Sequence, residues 1–173
     1  MKYPTQKYLK EYFNYDPTTG ALLYKHKVRF HEANTKAGIL TKQGYRMVKV
    51  GGRTMAASWV VWIYHTGKIP KNELDHANMV RSDDRFENLR EATRSQNCMN
   101  RVKKVSKWGY RGVKNNKKRF TASLTKDQKL YYFGTYDTRE EAARAYDAGA
   151  RIHFGEFAIL NFPDKPKRDW LIV

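Results

Sequence analysis

The sequence holds a single cysteine, Cys98, which excludes intramolecular disulfides and every Cys-based zinc site. No apolar run approaches the roughly 20 residues that a membrane span needs. The N-terminal stretch MKYPTQKYLKEYFNYD lacks the apolar core of a signal peptide. Internal repeats and low-complexity tracts are also missing. These absences point to a non-secreted chain of a reducing, cytoplasmic compartment.

Acid is scarce as well. The 173 residues carry 17 Asp+Glu against 34 Lys+Arg, a formal net charge of +17. An excess of that size predicts a polyanionic partner rather than a merely solvated basic surface. Aromatics are plentiful (Trp 4, Tyr 12, Phe 8), enough to fill a core and leave rings for contacts.

The few acids are unevenly spread. Glu73, Asp75, Asp83, Asp84, Glu87 and Glu91 sit together in ELDHANMVRSDDRFENLRE, beside His76. A histidine of ordinary pKa is mostly neutral at pH 7 and can take a proton from water. If the segment is extended, the preceding Asp75 points to the opposite face, so the carboxylate can meet a metal while the imidazole meets an attacking water. The amide oxygen of Asn97 could be a second ligand. One carboxylate and one amide leave most coordination positions to water and phosphate, which suits Mg²⁺ or Mn²⁺. Asn88 reads equally well as a cap or a brace for the loop.

Around this island, Thr5 to Asn14 is expected to be a helix, DPTTG a turn, and ALLYK a short strand. YRMVKV, Gly51-Gly52 and RTMAAS read as a hairpin, and SWVVWIYH as a buried helix ended by Gly67 and Pro70. ELDH is strand-like, and Thr93-Arg-Ser-Gln96 matches a capping box that would start a helix at Arg94. The acid-free RVKKVSK is the expected linker. Beyond it WGYRGV, RFTASL and LYYFGTY read as three strands, followed by a helix opened by the capping box Thr138-Arg-Glu-Glu141 and stopped at Gly155. Alternation places Phe120, Ala122 and Leu124 against that helix, on its stripe Ala142, Tyr146, Gly149 and Ala150. The other face gathers Arg111, Lys114, Lys117, Lys118 and Arg119, with Tyr132 nearby. A basic twisted sheet of this kind can enter a DNA major groove.

Two resemblances attach to these motifs. LDHANMVRSDDRFENLREATRSQNCMN resembles the core of HNH endonucleases, especially those of bacteriophages, and FNYDPTTGALLYK and GYRMVKVGG resemble their leader. The resemblance implies a ββα-metal fold and divalent-metal-dependent hydrolysis of DNA phosphodiesters, possessing one ion per active site. In it His76 is the general base, Asp75 and Asn97 are the metal ligands, and Asn88 holds the loop that orients His76. The chain departs from the usual pattern at Ser58-Trp59, at Met79-Val80 where Gly-Asp is usual, and at Asp84 where Asn is common. WGYRGV, FGTYDTREEAARAYDAGARIHFG and LNFP resemble the DNA-binding domain of plant APETALA/ethylene-response-factor regulators, with Tyr132 in place of the usual tryptophan.

The combined expectation is an α+β chain. It has an HNH domain at 1–100, a basic linker at 101–107 whose Lys103 and Lys104 track the backbone, a three-stranded antiparallel sheet on one helix at 108–163, and a tail at 164–173. The expected partner is double-stranded DNA, and the expected activity is that of a phage homing-type endonuclease working in the bacterial host cytoplasm. The rival reading is a DNA-binding or regulatory protein whose HNH core no longer cuts.

Overall fold

The computed structural model describes residues 3–99 and 108–163. Lys103, Lys104, the rest of the expected linker and the tail lie outside the described residues. The chain divides into two compact units, with the division between Thr93 and Arg94.

In the first unit, the Thr5 side chain accepts the Tyr8 N–H and opens α1 (Gln6–Tyr12), which buries Leu9. The helix stops short of the expected Asn14 because Phe13 turns extended and begins β1 (Phe13–Asp16). That strand pairs antiparallel with β2 (Ala21–Tyr24). The DPTTG turn between them is tied by Asp16, whose carboxylate accepts the Thr18 N–H at 2.9 Å and the Thr19 hydroxyl at 2.6 Å. These bonds hold the Asp16 carboxyl below its ordinary pKa.

A second antiparallel sheet has the order β3 (Ile39–Leu40), β4 (Arg46–Val50), β5 (Arg53–Ala56). The expected hairpin turns on Gly51 and Gly52, both in the left-handed region that a two-residue turn requires. The apolar run is indeed helical, forming α2 (Ala57–Thr66) and ending at a left-handed Gly67. Its Val60, Val61 and Ile63 are buried with Leu9, Phe13, Leu22, Val48 and Val50 in one core. Leu89 reaches the same core from the third sheet, an antiparallel pair of β6 (Glu73–His76) and β7 (Leu89–Ala92). A single 3-10 turn, Phe86–Asn88, closes the loop between those two strands.

The second unit holds α3 (Arg94–Met99), which begins at the expected residue. It also holds a sheet of order β10-β9-β8, made of β8 (Val113–Asn116), β9 (Arg119–Lys126) and β10 (Lys129–Tyr136). The expected strand WGYRGV is a correction: it is a pair of turns, and only Val113 belongs to a strand. Gly109 and Gly112 both adopt left-handed φ, and a Cβ on Gly112 would lie 1.9 Å from the Tyr146 ring. The segment has to bend under that ring.

The capping box at Thr138 and Glu141 is formed and opens α4 (Arg139–Phe154), with Gly155 beyond its end. Ala122 and Leu124 of β9 are buried with Ala142, Tyr146 and Ala150 of α4. Gly149 permits this approach, since a Cβ there would sit 2.2 Å from the Phe133 ring. Asp147, buried on the same helix, accepts the Asn161 and Phe162 N–H groups at 2.8 Å each and pins the LNFP segment. The architecture is therefore mixed α and β with small antiparallel sheets, as expected. Among the described residues no helix is long and apolar enough to cross a membrane.

Candidate active site

The acidic island is the β6–loop–β7 hairpin. Alternation along β6 leaves Glu73 exposed, while Asp75 and His76, at the end of the strand, are both buried. The ladder sets Asp75 opposite Arg90 and His76 opposite Leu89. Arg90 donates to Asp75 Oδ2 from Nε at 2.9 Å, and its Nη2 lies 2.9 Å from the same oxygen. A charge-assisted pair of this kind is how a carboxylate tolerates burial.

Past His76 the chain makes a tight turn in which Met79 N–H donates to the His76 carbonyl at 2.8 Å. Met79 has φ +64, the left-handed conformation glycine favours. The turn shape survives here without glycine. Asn78 then bonds in three directions: its side-chain oxygen accepts the Val80 N–H, its backbone N–H goes to Asn88 Oδ1 at 3.0 Å, and its amide donates to Asp83 Oδ2 at 2.5 Å.

Asn88 works from the other end of the loop. Its Oδ1 takes the Asn78 N–H, its Nδ2 donates to the Asp83 carbonyl at 2.8 Å, and its own carbonyl accepts the Ala77 N–H at 2.9 Å. One buried amide therefore ties both arms of the loop next to His76. Asp83 is gripped by Arg85, with Nε at 2.8 Å from Oδ1 and Nη2 at 2.9 Å from Oδ2. That two-pronged bond, helped by Asn78, holds the Asp83 carboxyl far below the usual carboxylate range.

Asp84 is the residue whose role was not read from the sequence. It is buried at 3% exposure, and its Oδ1 lies 3.1 Å from His76 Nε2. Its Oδ2 is buried and, among the described residues, meets no hydrogen-bond donor. The β1–β2 hairpin fixes this part of the loop. Gly20 (φ +71) has no room for a side chain, since a Cβ there would fall 2.5 Å from the Asp84 carbonyl carbon and 2.3 Å from the Arg85 nitrogen. Tyr15 adds a bond, its hydroxyl accepting the Phe86 N–H at 2.8 Å. The DPTTG turn signalled a glycine with φ > 0, but nothing local to it announced which backbone it would meet.

A second histidine is structural. His65 of α2 stacks on Phe86 at 4.4 Å and meets Tyr15 edge-on at 4.5 Å. Burial, and then nearby Lys10, lowers its pKa.

Asn97 lies half-buried in α3, within the second unit. Among the described residues no three His, Cys, Asp or Glu side chains gather into a metal cage. Oxygen donors such as the Asp75 carboxylate and an amide suit a hard divalent cation that completes its shell with water and phosphate.

The comparisons with known proteins bear on this segment. Residues 56–99 match the family model described as HNH endonuclease. The matched stretch runs from the last residue of β5 through α2, both strands of the β6–β7 hairpin and α3, and so contains Asp75, His76, Asn88 and Asn97. A protein of Acanthamoeba polyphaga mimivirus described as an uncharacterized HNH endonuclease is 31% identical over 123 residues, covering 70% of this chain and 65% of that protein. The chain therefore spans less than two thirds of that relative's length.

The second unit carries its own basic surface. Register puts Lys114 beside Thr121, Arg119 beside Asn116 and Tyr132 beside Ser123, all on the sheet face away from α4. Tyr132 is exposed, its hydroxyl 2.5 Å from Thr135 Oγ1. Arg119 is exposed and paired with Asp137 at 2.8 Å. Lys117 and Lys118 form the β8–β9 turn, with Lys117 at φ +58. Arg111 is placed differently: its N–H donates to Asn161 Oδ1 at 2.7 Å, and its guanidinium interacts with Tyr146. Burial raises the Tyr146 pKa, and Arg111 partly offsets that rise.

Proposed function

We propose that this chain is a divalent-cation-dependent DNA endonuclease of the HNH type, with His76 as general base. The observation that carries the reading is the fixed imidazole. His76 ends a buried strand, its Nε2 lies on Asp84, and Asn88 ties the loop on both sides of it.

In this reading a water oxygen attacks phosphorus while His76 takes its proton. The new P–O bond forms as the bond to the leaving oxygen breaks, and that oxygen is protonated from solvent. Mg²⁺ or Mn²⁺, one ion per site, would supply positive charge at the scissile phosphate and the leaving oxygen. Asp75 and Asn97 keep the ligand roles that the sequence pattern implies. Asn88 contributes by holding the loop.

The second unit is proposed to bind double-stranded DNA as the APETALA/ethylene-response-factor-type domain it resembles does. Lys114, Arg119 and Tyr132 would act from the open face, Lys117 and Lys118 from the turn, and Arg111 from its place beside Tyr146. Lys103 and Lys104 would add phosphate contacts. A homing-type role, with this unit aiding site choice, fits that division of labour.

A second reading is supported by the Asp75–Arg90 pair. An arginine already neutralising the proposed ligand is what a DNA-binding protein with an inactive core would also show.

Supercoiled plasmid incubated with Mg²⁺ or Mn²⁺ tests the two. Metal-dependent conversion to open-circle or linear DNA that falls by about 100-fold or more, to a measurable residue, in His76→Ala supports the endonuclease. Tight DNA binding by wild type without cutting in either metal favours the inactive core.

A further inference from the structure

We propose that Asp84 is a positioning residue for the general base: its carboxylate fixes the tautomer and orientation of His76 and faces the charge the ring acquires. This rests on the HNH endonuclease reading and goes beyond it, because the residues assigned there do not include Asp84.

The geometry is specific. The two side chains are 6% and 4% exposed, and Nε2 lies 3.1 Å from Oδ1. An ionised carboxylate can only accept, so Nε2 carries the proton and the lone pair of the neutral ring is on Nδ1. The nitrogen that takes a proton from water is thereby chosen before substrate arrives. Water cannot compete for the bond at that burial.

The carboxylate is itself held in place. Its backbone is pressed by Gly20, and its neighbour Asp83 is clamped by Arg85 and Asn78. The backbone that carries Asp84 is therefore fixed against the β1–β2 hairpin, and the short side chain reaches His76 from that fixed point. Among the described residues Asp84 Oδ2 meets no hydrogen-bond donor. A buried acceptor in that state needs a reason. The carboxylate faces the imidazole at hydrogen-bond distance, beside the charge the ring gains during attack.

The test joins a spectroscopic readout to a double-mutant cycle on the full chain. Nitrogen-15 shifts of the neutral His76 ring are expected to report the Nε2–H tautomer in wild type. They should do the same in Asp84→Asn, whose amide oxygen can still accept, and report a tautomer mixture in Asp84→Leu. Cleavage should fall about 10-fold in Asp84→Asn and about 100-fold in Asp84→Leu, in kcat rather than KM. In a His76→Ala background, Asp84→Leu should cost nothing further, because a group that acts through the imidazole has nothing left to act on. An Nδ1–H tautomer in wild type, or an equal loss from Asp84→Leu with and without His76, overturns the proposal. A wild type that cuts no DNA overturns the nuclease reading and this role with it, while the ring shifts still report the pair itself.

Discussion

Asp75 and Arg90 face each other across the β6–β7 ladder, and two guanidinium nitrogens converge on one carboxylate oxygen at 2.9 Å each. The side chains are 7% and 16% exposed. Removing one member of such a pair leaves a buried charge, at a cost of about 3–5 kcal/mol. Arg90→Met is therefore expected to lower the unfolding free energy by an amount near that range in metal-free buffer. If Asp75 is a cation ligand, millimolar Mg²⁺ or Mn²⁺ should restore more stability to the variant than it adds to wild type. A bound cation then replaces the lost guanidinium. Urea denaturation with and without metal measures both effects, and equal metal response in the two proteins would count against Asp75 as a ligand.

Met79 offers a change in the opposite direction. Its φ of +64 is a conformation that costs a residue with a Cβ about 1 kcal/mol and glycine little. Met79→Gly should stabilise the chain by roughly that amount, less what is lost to greater freedom in the unfolded state. Denaturation midpoints at constant m-value read the difference. A destabilised variant would mean that the methionine side chain contributes packing outweighing the strain.

Legibility in the sequence followed how local each cause is. Thr138 with Glu141, Gly51 with Gly52, and Gly67 announce their elements because capping and left-handed turns are set within a few residues. Of the β6–β7 hairpin, the strand-like ELDH was readable in the sequence. The WGYRGV segment misled because its apolar and aromatic residues look like a strand, while the bend at Gly112 is shaped by Tyr146, 34 positions further on. Asp84 was noticed in the sequence only as a departure from the usual Asn. Its contact with His76 depends on how the loop closes and on Gly20, distant in sequence, so no local pattern discloses it.

Asp83 makes stability depend on acid. Arg85 and then Asn78 hold its carboxyl well below the ordinary range, so the folded state favours the ionised form. A depressed pKa contributes stability fully above the unfolded value, near pH 4, and loses it as pH falls toward the folded value. The stability advantage of wild type over Asp83→Asn should thus be constant near neutrality, about 2 kcal/mol, and shrink steadily below about pH 4. Urea titrations of both proteins at pH 7, 5, 4 and 3 follow this gap. A gap that stays constant down to pH 3 would remove Asp83 as an acid-sensitive brace.

If the second unit binds DNA as proposed, salt dependence separates its contacts. Lys114 stands on the open face, in register with Thr121, and Lys118 is in the adjoining turn. If each neutralises one phosphate, Lys114→Ala and Lys118→Ala should each reduce the slope of log K against log salt by about 1. Tyr132→Ala should leave the slope unchanged and weaken binding at every salt concentration, because a ring contributes packing or stacking and no charge. Arg119 is expected to fall between these cases, since Asp137 already neutralises part of its charge. Asp137→Asn should then strengthen duplex binding and steepen the slope by releasing Arg119 for phosphate. Fluorescence anisotropy on a short duplex from 50 to 300 mM salt (roughly, the span over which counterion release is easily read) measures all four variants. Unchanged slopes in both lysine variants would remove this face from the DNA interface and leave affinity to other basic residues of the chain.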